Sequence, residues 1–83
     1  MITSFYKQNK KNTNMQIEQI NSWYYEGTEL FYSDRFDEAI IYYDKIIQIN
    51  PNSKIAWGYK ASALSKLKRY DDAFACYQNA LKC

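Results

Sequence analysis

Trp23-Tyr24-Tyr25-Glu26-Gly27-Thr28-Glu29-Leu30 and Trp57-Gly58-Tyr59-Lys60-Ala61-Ser62-Ala63-Leu64 begin 34 residues apart. Outward from them, in the same register, Phe36 falls on Tyr70, Ala39 on Ala73, Tyr43 on Tyr77 and Ile47 on Leu81. With the Trp, Gly/Ala and Leu matches, that makes seven like-for-like pairs at one offset. Such a register marks an internal repeat. A repeat of this length is one supersecondary unit that covers its apolar face by stacking on its neighbour.

The apolar spacing within each unit is helical. From about Gln16 to Tyr32, Ile17, Ile20, Tyr24 and then Gly27 or Phe31 follow at steps of three and four, the signature of one helix face. Gly27 costs a helix about 1 kcal/mol relative to alanine, so its presence predicts the close approach of another helix. Ser33-Asp34-Arg35 reads as a tight turn. A second helix is predicted over Phe36–Ile49, with Asp37 and Glu38 in its first turn, where acids complement the helix dipole. Its apolar face carries Ala39, Ile40, Tyr43, Ile46 and Ile47.

Asn50-Pro51-Asn52-Ser53 ends that helix. Asn50 is expected to supply the left-handed residue common at a helix end, and Pro51 cannot continue the helix. Ser53 or Asn52 is placed to cap a third helix over Lys54–Leu67. A turn at Lys68-Arg69 and a fourth helix over Tyr70–Lys82 complete the pattern. The fold class is all-α: two tandem antiparallel helix-turn-helix hairpins, repeat one at 20–53 and repeat two at 54–83, within a domain at 15–83. Residues 1–14 read as a polar, mobile tail, with Phe5 and Tyr6 available to fold back as a cap.

At 83 residues the chain has room for one modest core. Its mean hydropathy of −0.63 understates the apolar area available, because nine tyrosines supply rings that bury while their hydroxyls stay wet. The net charge of +2 is too small to imply a nucleic-acid partner, but it is unevenly spread. Residues 20–53 carry six acids against two bases, and residues 54–83 carry six bases against two acids, so the repeats stand at −4 and +4.

Cys76 and Cys83 lie seven apart on one helix, a rise of about 10 Å, beyond the Cα separation that a disulfide spans. Two free thiols suit a reducing, cytoplasmic setting. There is no histidine, so two thiols alone make a poor metal site, and no cofactor is expected. No apolar run approaches membrane length. Catalysis is not expected either. The chain lacks a histidine base and a glycine-rich phosphate loop, Asp71-Asp72 reads as a dipole complement, and Glu26 with Glu29 reads as a solvated face.

These residues resemble the tetratricopeptide repeat family, whose pattern runs W-x2-L-G-x2-Y, then A-x3-F, then P. The first unit reads Trp23-x2-Glu26-Gly27-x2-Leu30, Ala39-x3-Tyr43, Pro51, and the second Trp57-x2-Lys60-Ala61-x2-Leu64, Ala73-x3-Tyr77, followed by the small Ala80. Glu26 and Lys60 depart from the family's leucine, and their stems are expected to lie over apolar surface at the helix margin. Asp34 and Lys68 stand at turn positions often held by glycine.

The resemblance implies a protein-binding scaffold in which the first helix of each unit lines a concave groove. Carried over by position, the groove residues are Asn21, Tyr24, Tyr25, Thr28 and Tyr32 in repeat one and Ile55, Tyr59, Ser62 and Lys66 in repeat two. It also allows a test of one partner class. Relatives that clasp the acidic C-terminus of heat-shock chaperones use lysine, asparagine and arginine in the groove. Those slots here hold Tyr24, Thr28 and Tyr59, or in a shifted register Tyr25, Ile55 and Tyr59, so that partner class is not expected. Self-association is the alternative reading, because only two units are present where about three are usually needed, and the −4 and +4 repeats offer complementary ends.

Overall fold

The computed structural model describes the backbone of residues 2–83 and the side chains of residues 15–83. Four helices follow one another: α1 Ile2–Tyr32, α2 Phe36–Ile49, α3 Lys54–Lys66 and α4 Tyr70–Lys82. No strand occurs among the described residues. The reading of residues 1–14 as a polar tail, with Phe5 and Tyr6 as a cap, turns on side chains outside those described. Packing joins each helix to the next in sequence, α1 to α2, α2 to α3 and α3 to α4.

The small residues of the repeat explain how the helices come together. Ala39, Ala56, Ala61 and Ala63 have no exposed surface. A Cβ built at Gly27 would sit 3.1 Å from the Tyr43 ring and 3.3 Å from the Cβ of Tyr42. Gly27 is therefore the point at which α2 closes onto α1, as the sequence implied. Around these contacts lie two apolar clusters. One joins Ala39, Tyr43, Ile46 and Ala56 to Trp23, Leu30 and Phe31 of α1. The other joins Ala61, Leu64, Ala73 and Cys76 to Ile40 and Trp57.

The two intra-repeat turns are built alike. Asp34 and Lys68 adopt left-handed backbone, with φ of 62° and 64°. Arg35 N–H donates to Leu30 C=O at 2.9 Å and Asp34 N–H to Phe31 C=O at 3.1 Å; Arg69 donates to Leu64 and Lys68 to Ser65, both at 2.9 Å. This paired bonding closes the last turn of α1 and of α3 on their own carbonyls.

The inter-repeat turn differs from its sequence reading. Asn50 has φ −131° and ψ 83°, negative-φ backbone and not left-handed. Here the chain leaves α2 through one last bond, Asn50 N–H to Ile46 C=O at 2.8 Å, and Pro51 enforces the exit. Ser53 is the cap of α3, its Oγ accepting from Ala56 N–H at 3.3 Å.

Lys60 ties the repeats together from outside. Its ammonium meets Asp44 of α2 at 2.6 Å with the lysine side chain 23% exposed, and lies 5.6 Å from the Trp57 ring centroid. The charged slot at the helix margin thus has a structural use in repeat two, while Glu26 in repeat one stays exposed.

Candidate functional site

α1 and α3 both pack on α2, and tyrosines gather where the three helices meet. The Tyr43 ring, with no exposed surface, stacks on Tyr59 at 5.2 Å between centroids and 12° between planes. Phe31 meets the Tyr59 ring edge-on at 5.8 Å. Tyr24 tilts toward Tyr43 at 6.4 Å, and its hydroxyl hydrogen-bonds Ser53 Oγ at 2.6 Å. Thr28 Oγ1 lies 3.5 Å from the Tyr43 hydroxyl. An aromatic floor therefore spans the junction between the repeats, with its hydroxyls bonded along one edge.

Beside that floor opens a shallow cleft of about 330 Å³, lined by Ile55, Gly58, Tyr59 and Ser62 of α3 and Tyr77 of α4. A Cβ at Gly58 would meet nothing within 4 Å. Gly58 lies in the interior of α3, where glycine costs about 1 kcal/mol relative to alanine, and no neighbour requires its small size. Its effect is to leave the cleft floor open.

The nine residues assigned to the groove by sequence separate into three groups here. Ile55, Tyr59 and Ser62 line the cleft. Tyr24 and Thr28 are half-buried, with hydroxyls engaged to Ser53 and Tyr43. Asn21, Tyr25, Tyr32 and Lys66 are exposed and lie outside the cleft lining. Tyr32 packs its ring edge-on against Phe31 at 5.2 Å.

Gly58 and Tyr77 are not among the nine residues assigned to the groove from the sequence. A signal for Gly58 was present, since the 34-residue register sets it opposite the large ring of Tyr24. Tyr77 holds the register position of the wholly buried Tyr43, yet is 43% exposed.

The site is electrically quiet. Burial raises the Tyr43 phenol above its usual range, with the Thr28 hydrogen bond opposing and the nearby phenols adding to the rise. Burial raises Tyr59 as well, assisted by Tyr32. Both phenols are neutral at physiological pH, and the cleft offers rings, an isoleucine and a serine hydroxyl.

A second hollow of about 430 Å³, bounded by Ile40, Asp44, Trp57, Lys60, Arg69 and Asp72 among others, is more polar. Its charges already neutralise one another. Lys60 holds Asp44 at 2.6 Å, and Arg69 holds Asp72 at 2.8 Å. The apolar cleft is the better candidate, because its surface is unsatisfied.

Residues 20–53 match a family model described as tetratricopeptide repeat, and residues 42–75 match a second model of the same description. An uncharacterized protein of Methanocaldococcus jannaschii is 34% identical over 65 residues, which span 78% of this chain and 76% of that protein. The Hsp70-Hsp90 organising protein of Plasmodium falciparum is 37% identical over 65 residues, 76% of this chain but 12% of that protein. No helix among the described residues is long and apolar enough to cross a membrane.

Proposed function

The chain belongs to the tetratricopeptide repeat family, whose repeats generally mediate protein–protein interaction and typically serve as non-enzymatic scaffolds, and we propose that its own binding site is the cleft at Ile55, Gly58, Tyr59, Ser62 and Tyr77. The occupant is a peptide segment of another protein, seated by an apolar side chain over Gly58. Tyrosine suits such a surface because it offers a large, stiff contact area with a polar tip. The observation that carries the reading is Gly58. A helix-interior glycine with open space above it weakens the fold and is accounted for by what fills that space.

The test is selection of displayed random peptides on the wild-type chain, followed by titration against Gly58→Leu. A leucine side chain fills the cleft floor without touching the core. Selected peptides are expected to bind Gly58→Leu at least about tenfold more weakly, a loss of about 1.4 kcal/mol, while the melting midpoint is kept or raised. Equal affinity would place the site elsewhere.

The match to the Hsp70-Hsp90 organising protein makes a chaperone the second partner class to try. The cleft has no cation to grip a carboxylate, so an acidic C-terminal peptide and its amidated form are expected to bind alike. Clear preference for the free carboxylate would move the site to Lys66 and its neighbours. Two free thiols fit a reducing compartment such as the cytoplasm.

A further inference from the structure

Inside this chain, repeat two docks on repeat one through a defined set of contacts. Tyr59 of α3 lays its ring on Tyr43 of α2, and Lys60 pairs with Asp44 beside it. The 34-residue register copies this junction to both ends of the molecule. Tyr25 on α1 is the equivalent of Tyr59, and Tyr77 on α4 is the equivalent of Tyr43. Where Tyr43 is wholly buried, Tyr77 is 43% exposed and Tyr25 is 65% exposed, and Leu81, the counterpart of the packed Ile47, is 82% exposed. One end presents the ring and the other presents its seat.

We propose that these ends are two halves of one interface, and that a second copy of this chain docks head to tail, Tyr25 of the next copy stacking on Tyr77 as Tyr59 stacks on Tyr43. The charges permit it. The counterparts of Lys60 and Asp44 are Glu26 and Gln78, a carboxylate facing a neutral amide donor and not a like charge. At the scale of whole repeats, the +4 unit of one copy abuts the −4 unit of the next, continuing the alternation already present within the chain. Apolar area supplies the affinity, and the charges supply orientation. The contact is heterologous, so it does not close at two copies. It shares Tyr77 with the cleft, so a docked copy and a cleft-bound peptide compete for that ring, and the mass measured without peptide tests the docking alone.

Sedimentation velocity of the full chain across a roughly hundredfold concentration range tests this. The weight-average mass is expected to climb past that of a dimer. Tyr25→Glu removes the ring and Tyr77→Glu disables the seat, so each variant alone is expected to be monomeric. An equimolar mixture is expected to form one-to-one dimers and nothing larger, because each variant supplies the half that the other lacks. Circular dichroism checks that both remain helical. Should Tyr77→Glu lose helicity, Leu81→Glu replaces it, at a side chain already in solvent. A wild-type monomer at every concentration overturns the proposal, as does a mixture of folded variants that stays monomeric. A dimer that survives either single substitution also overturns it, since that would be a symmetric contact elsewhere.

Discussion

Gly27 and Gly58 both sit inside helices, yet their surroundings predict opposite responses to the same substitution. In either helix, alanine gains about 1 kcal/mol over glycine. At Gly58 nothing lies within 4 Å of the new Cβ, so Gly58→Ala is expected to keep that gain and raise the melting midpoint. At Gly27 the Cβ arrives 3.1 Å from the Tyr43 ring, which is wholly buried and pinned by its stack on Tyr59. Overpacking there costs about 1–3 kcal/mol, so Gly27→Ala is expected to be neutral or destabilising. Paired thermal melts decide the matter, and a stabilising Gly27→Ala would contradict the close approach of α2. Tyr43 also links the fold to alkaline pH. Its phenol is raised by burial above the unfolded value of about 10, so the unfolded chain releases the proton first as pH rises. The contribution is whole below about pH 10 and is lost as pH climbs toward the folded value. Cys76, also raised by burial, acts in the same sense from a lower pH, so urea titrations belong in a Cys76→Ala background. There, Tyr43→Phe is expected to lessen the fall in stability above pH 10, leaving the part due to Tyr59. An unchanged slope would show that Tyr43 ionises as freely folded as unfolded.

The helices are the best-read feature of this sequence, and the turns show why the reading stops where it does. Apolar residues at steps of three and four fix α2 and α4 at the bounds observed, Phe36–Ile49 and Tyr70–Lys82, because burial of one face is what holds a helix this short in place. At Asn50 the residue type suggested a left-handed end, but φ there is −131°. Propensity ranks conformations for an isolated residue, whereas here the following proline and the Ser53 cap dictate the path. Left-handed backbone falls instead on Asp34 and Lys68, which the family resemblance marked as glycine slots. A left-handed non-glycine residue costs about 1–2 kcal/mol, and glycine returns part of that gain as unfolded-state entropy. Lys68→Gly is therefore expected to stabilise by about 0.5–1 kcal/mol, or about 3–6 °C in a domain of this size. A lower midpoint would mean that the Lys68 side chain makes a contact worth more than the strain. The cleft was legible by the same logic and to the same depth. The family resemblance names Ile55, Tyr59 and Ser62, three residues of its lining. It does not say which hydroxyl is already taken, as Tyr24's is by Ser53, nor that an empty position such as Gly58 shapes the lining.

At the scale of the whole molecule, the acidic and basic repeats, the paired turns and the ring-on-ring junction all follow from one unit used twice with small differences. The differences carry the interest: glycine for tyrosine at position 58, tyrosine left open at 77, lysine for glutamate at 60. Order of packing has a further consequence. The main contacts join each helix to its sequence neighbour, so little chain entropy is spent on closing long loops. Contacts this local belong to the microsecond-to-millisecond end of the folding range. The same locality governs how the molecule responds to being pulled. Among the described residues no hydrogen bond, ion pair or ring contact joins α1 to α4, so tension applied at the two ends is expected to peel the outer helices while the Tyr43–Tyr59 stack holds the middle pair. Mechanically this is a short, soft element that gives way in steps from its ends inward.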